Sequence, residues 1–171
     1  RLQVNNPKAN HYLFRLQPGG FAVEALYPGL AGKTVVIDPG HGGTDPGAVG
    51  RSYGVQQKDV NLAMALALAE RLQEKGAEVI LTRESDNGSE SAEVVAAEPY
   101  SRRRKVLELD ARARLAREEK ADIFISVHNN ANLSRTHKGT TTYYAMENPN
   151  FPASGELAAA VHPVLRSALD S

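Results

Sequence analysis

The chain has 171 residues, 42% hydrophobic and 23% charged, which suits one globular core plus a short additional segment. Twenty basic residues balance twenty acidic ones, so the basic footprint of a nucleic-acid binder is missing, while a neutral polymer such as a glycan stays open as a partner. No cysteine is present, which removes disulfides and thiolate metal sites, and no apolar run reaches the length of a transmembrane helix.

Neither a signal peptide nor an initiating Met opens the chain at Arg1, so the expectation is a processed or excised piece of a longer precursor; a trimmed cytoplasmic protein reads the same way. Residues 12–26 alternate loosely around Gly19-Gly20 and predict a hairpin, and Pro28-Gly29 punctuate the chain before the main domain. Val35, Val36 and Ile37 form a β-branched run that predicts a buried strand, followed by the loop PGHGGTDPGAVG. A helix is expected over 60–75, with Val60, Met64, Leu68 and Leu72 on its apolar face, Leu62 and Leu66 widening it, Asp59 as N-cap and Gly76 just past its end.

A second strand follows through Val79, Ile80 and Leu81. Residues 84–105 are irregular, acidic at first and basic at Arg102, Arg103, Arg104 and Lys105. A solvated insertion explains this better than a lid, and a solvated helix start explains the basic cluster better than contact with acidic wall polymers. The next helix is expected over 107–120, with Glu108–Arg112 and Asp110–Arg114 at i,i+4 on an exposed face. Strands are expected at 123–127 and 140–145, then a helix over 154–165.

Alternating strands and helices imply an α/β fold with a mainly parallel sheet, in which ligands bind beyond the carboxyl ends of the strands. His41 and His128 both follow such ends. If their strands are neighbours the two imidazoles converge, and a pair of imidazoles in a polar loop suits zinc, given a further protein ligand and an open position for water. Phosphate is a poorer occupant. A dinucleotide fingerprint from Gly40 would need glycine at Asp45, and a P-loop from Gly42 would need lysine at Ala48. His11, His137 and His162 are assigned surface or packing roles, and Tyr143 and Tyr144 are assigned to packing, with a place in the cleft lining open to one of them.

The ordered segments TVVIDPGHGGTDPGAVG, QKDVNLAMALALAERL, VILTR, ADIFISVHNNAN and KGTTTYY resemble the zinc-dependent N-acetylmuramoyl-L-alanine amidases of bacterial cell walls. The resemblance implies a three-layer α/β domain at 33–171, a mainly parallel or mixed sheet flanked by helices, after an extension or tail of a preceding domain at 1–32. It implies Zn2+ as cofactor, peptidoglycan as partner, and a secreted or periplasmic location. It places His41 and His128 as metal ligands, with Gln57 where the family has a ligand glutamate, and Asn130 as a residue that shapes the site. Asp38 is left with two roles, orienting an imidazole or capping the turn.

Two departures temper the expectation. Gln57 offers a neutral oxygen in place of a carboxylate, which weakens a zinc site. The family's late catalytic glutamate has no counterpart among Glu147 and Glu156, and is expected beyond Ser171. The expected activity is hydrolysis of the bond between N-acetylmuramic acid and L-alanine, low in this chain as it stands. The rivals are a non-catalytic peptidoglycan-binding or regulatory module on the same fold, and another zinc hydrolase such as a carboxypeptidase.

Overall fold

The computed structural model of the protein describes residues 11–17, 20–26, 29–87, 101–131, 139–147 and 151–169. Residues 88–100, the middle of the irregular stretch, and His137 lie outside them. The chain forms two compact units, residues 1–130 and 131–171.

In the first unit the expected hairpin is β1 (His11–Gln17) paired antiparallel with β2 (Gly20–Leu26), Gln17 opposite Gly20. The main sheet is β3 (Thr34–Pro39) between β4 (Glu78–Leu81) and β5 (Ile123–Val127), all parallel. The central place of β3 follows from its composition. Val35, Val36 and Ile37 are at most 1% exposed, so both faces of the strand are covered. A latch sets the register at its start, where Asp122 accepts from the Thr34 backbone N–H at 2.9 Å and pairs with Lys33 at 2.7 Å.

Side chains alternate along β3, so Val35 and Ile37 face one side while Val36 and Asp38 face the other. Helix α1 (Gln57–Glu74) packs on the first side, where Ala65, Ala69 and Ala77 join Val35 and Ile37 in the core. The expected apolar line of α1 is rotated by one residue. Gln57, Asn61, Ala65 and Ala69 are innermost, Leu68 and Leu72 flank them, and Met64 and Leu66 are 43% and 42% exposed. Small alanines allow the helix axis to approach the sheet closely, which a ranking by hydrophobic size does not capture. The helix also starts three residues earlier than expected. Gln56 takes the N-cap without a side-chain bond, and Asp59 sits in the first turn, where its charge still suits the helix dipole. Its end is as read: Gly76, at φ 87°, is left-handed just past the last turn.

The second helix, α2 (Arg102–Glu118), starts at Ser101, whose hydroxyl accepts from the Arg104 N–H at 3.2 Å. Its first turn is the basic cluster, with Arg102, Arg103 and Lys105 exposed and Arg104 buried. The Glu108–Arg112 pair is not on an exposed face. Both residues are buried, and Arg112 reaches Asp38 on the second side of β3 at 2.7 Å. An i,i+4 pair of opposite charges looks the same in sequence whether it faces water or a buried carboxylate. Helices thus flank the parallel sheet on both sides.

In the second unit, helix α3 (Phe151–Leu169) extends the expected helix at both ends. The expected strand at 140–145 is not formed. Threonine and tyrosine favour strands only where a neighbour takes the ladder bonds, and among the described residues none does. Thr142 Oγ1 instead lies 3.1 Å from His162 Nδ1.

Candidate metal centre

Strands β3 and β5 are parallel neighbours with Pro39 opposite Val127, and the Gly40 N–H extends the ladder to the Val127 carbonyl at 3.0 Å. His41 and His128 follow this shared edge two and one residues later, respectively, and their rings meet edge to face with centroids 4.9 Å apart. Close approach depends on Gly40: a Cβ there would lie 2.2 Å from the His128 ring. Gly40→Ala is therefore expected to push that ring away from His41 while leaving the sheet intact. Displaced His128 ring resonances in NMR spectra, with less than about 2 kcal/mol lost in denaturation, are the expected result.

His41 itself has φ 64°, a left-handed conformation worth roughly 1–2 kcal/mol of strain for a residue with a Cβ. Its Nδ1 lies 3.0 Å from Asp45 Oδ2, and the other Asp45 oxygen accepts from the Gly47 N–H at 3.2 Å. Lys105 is 3.4 Å from the same carboxylate. With Nδ1 turned to a carboxylate as donor, the His41 Nε2 lone pair is the one left for a ligand.

Gln57 is the first residue of α1 and 6% exposed. Its amide orientation is set by its neighbours. Oε1 accepts from the Ala48 N–H at 2.9 Å, so Nε2 points to His128 Nδ1, 3.2 Å away. His128 must accept that bond, and so carries its proton on Nε2. His128 is an exposed residue overall, but the partial withdrawal of its ring from water, then the neighbouring His41, lower its pKa below the usual 6.5. The folded state resists a proton that the unfolded chain accepts, so this site's contribution to stability is complete above about pH 6.5 and declines as pH falls below it. A denaturation series from pH 8 to 5 is expected to show a decline that His128→Ala reduces.

The remaining expected residues divide. Asp38 takes neither proposed role. Its carboxylate accepts from Thr82 Oγ1 at 2.7 Å, Ser126 Oγ at 2.6 Å and Arg112 Nη1 at 2.7 Å, beneath the loop rather than beside an imidazole. The carboxylate on an imidazole is Asp45, four residues after His41, close enough in sequence to have been found by asking which acid could orient that ring. Asn130 is exposed, whereas Asn129 donates to Asn61 Oδ1 at 3.0 Å. Arg83 and Arg112, invisible as site residues in the sequence, hold the loop from beneath. Pro39 O accepts from Arg83 Nε at 3.0 Å and Arg112 Nη1 at 2.9 Å. Gly40 O accepts from Arg83 Nη2 at 3.2 Å and Asn61 Nδ2 at 3.0 Å, and His41 O accepts from Arg83 Nε and Arg112 Nη2, both at 2.8 Å.

Whether these residues fit zinc turns on the donor set. Two imidazoles at one rim fit. The 3.2 Å between Gln57 Nε2 and His128 Nδ1 also matches the edge of a zinc tetrahedron, about 3.3 Å for bonds of ~2.0 Å. The atom at that corner is an amide N–H donor, however, and turning the amide would set its NH2 against the Ala48 N–H. Among the described residues, accordingly, no three His, Cys, Asp or Glu side chains form a metal cluster. The histidine pair is suited to the ion, and position 57 supports it weakly.

Comparison with known proteins agrees with this architecture. The chain is 42% identical over 115 residues to the germination-specific N-acetylmuramoyl-L-alanine amidase of Bacillus subtilis, which covers 67% of this chain and 46% of that protein. The solved structure of the CwlD amidase from Clostridioides difficile, in complex with the GerS lipoprotein, superposes with a TM-score of 0.70 at 32% identity, covering 79% of this chain and 66% of that one. The catalytic domain of CwlV, an N-acetylmuramoyl-L-alanine amidase from Bacillus (Paenibacillus) polymyxa var. colistinus, gives 0.60 at 35% identity, covering 80% and 64%. The chain thus spans about half the length of that curated relative. The profile of the family Amidase_3, N-acetylmuramoyl-L-alanine amidase, matches residues 35–171, and the chain belongs to that family.

Proposed function

We propose that the domain at 33–171 hydrolyses the amide bond between N-acetylmuramic acid and L-alanine in peptidoglycan, using zinc held by His41 and His128 with weak support from Gln57. The observation that carries the reading is the convergence of the two rings at the carboxyl ends of adjacent parallel strands. Zinc, when bound, would polarise the amide carbonyl and acidify a water. The chain's own residues do the positioning. Asp45 fixes the His41 ring, Gly40 leaves room for the His128 ring, and the lowered pKa of His128 keeps it neutral and able to donate a lone pair near pH 7. In the reaction water adds to the lactyl carbonyl, the carbon–nitrogen bond breaks, and the alanine nitrogen leaves protonated.

The substrate implies action in the cell envelope, secreted or periplasmic. Among the described residues no helix is long and apolar enough to cross a membrane. The hairpin of β1 and β2 is assigned to the extension at 1–32, ahead of the amidase domain.

The test is to incubate purified sacculi with zinc and the chain, or its Gln57→Glu variant, and count new L-alanine amino termini. The variant is expected to release at least about ten times more than the parent. Release of a terminal amino acid with the lactyl amide intact would replace the reading by a carboxypeptidase. The Gln57 N–H on His128 favours one second reading, a wall-binding module, which predicts retention on sacculi with no new amino termini from either protein.

A further inference from the structure

We infer that Arg83 and Arg112 are positioning residues that aim the His41 imidazole, acting through the backbone rather than touching the ring. In an extended strand successive carbonyls point in opposite directions. At Pro39, Gly40 and His41 all three carbonyls are taken by guanidiniums: both arginines bond Pro39 O and His41 O, and Arg83 shares Gly40 O with Asn61 Nδ2. Two guanidiniums thus supply the positive charge that gathers these carbonyl dipoles. His41, in its left-handed conformation, gives its carbonyl to both guanidiniums while its ring meets His128 edge to face.

The clamp is itself buried and anchored. Arg112 and Arg83 are each 4% exposed. Arg112 is anchored by Asp38 at 2.7 Å and Glu108 at 2.6 Å. Arg83 also donates to the Lys58 carbonyl at 2.9 Å, next to Gln57, and to the Ser85 carbonyl at 3.0 Å. One side chain therefore ties the His41 loop to the first turn of α1, and the other ties it to α2 and β3. His41 is thereby held relative to Gln57 from underneath, by planar forks that a lysine would not reproduce.

The metal readout of the test rests on the proposed zinc reading; the ring readout does not. Arg83→Lys and Arg112→Lys keep the charge and remove the fork. In the Gln57→Glu background, zinc affinity is measured by competition with a chromophoric chelator. Histidine ring nitrogens are recorded by long-range 1H–15N spectra of the metal-free protein. Leu72→Ala, in α1 and away from the loop, controls for general loosening. Each lysine variant is expected to bind zinc about tenfold or more weakly and to shift the His41 ring resonances, while the control moves neither. Lysine variants within twofold of the background with unmoved His41 resonances would overturn the inference, as would an equal loss of affinity in the control. If Gln57→Glu itself binds no zinc, the zinc reading fails instead, and the His41 resonances in the parent background decide the positioning role alone.

Discussion

Gln57→Glu is expected to raise zinc affinity at least about a hundredfold, which corresponds to about 2.8 kcal/mol. The substitution preserves shape. One carboxylate oxygen keeps the Ala48 N–H, and the other takes the corner now held by Nε2, 3.2 Å from His128 Nδ1. There it supplies the negative charge and lone pair that the amide lacks. Without metal the His128 proton shifts to Nδ1, which then donates to the new carboxylate, so the contact between the two side chains is kept. The variant should therefore melt close to the parent in chelator and above it in zinc, since a ligand at 100 times its Kd adds about 2.7 kcal/mol. Titration with zinc under both conditions checks this. Equal affinity in parent and variant would remove position 57 from the metal site.

Asp38→Ala is expected to be the most damaging single change to stability, at about 3–5 kcal/mol, because it leaves Arg112 buried without its ion pair to Asp38 and strips the acceptor from Thr82 and Ser126. For a domain of this size that lowers the melting temperature by roughly 10 °C or more. Asp38→Ala combined with Arg112→Met and Glu108→Met is expected to regain part of the loss, since Glu108, the other buried partner of Arg112, then leaves no unpaired charge behind. A loss under about 1 kcal/mol for Asp38→Ala alone would show that the network is not what holds the loop.

How much was legible depended on whether a residue's role is local. Strand β3 and its parallel neighbours follow from short β-branched runs alternating with helical periodicity. The two histidines follow from their places at strand ends. What the sequence hid are the partners that meet only in space. Asp38 and Arg112 are 74 positions apart, and Glu108–Arg112 carries the signature of a surface pair. The inner face of α1 was misjudged because alanine and a buried amide outrank leucine where close approach matters, as at Ala65, Ala69 and Asn61. The strand expected at 140–145 shows the limit of propensity without a partner. Asp45 was legible in principle, as an acid four residues after His41.

The place of β5 in the sheet has a further consequence. Strand β3 is held on both sides, while β5, among the described residues, pairs only with β3. Amide protons of β5 should therefore trade for deuterium sooner than those of β3, and the His128 half of the centre should loosen first. An ion spanning residues 41 and 128 would staple that outer strand to the middle one, so exchange along Ile123–Val127 should slow when the site is filled.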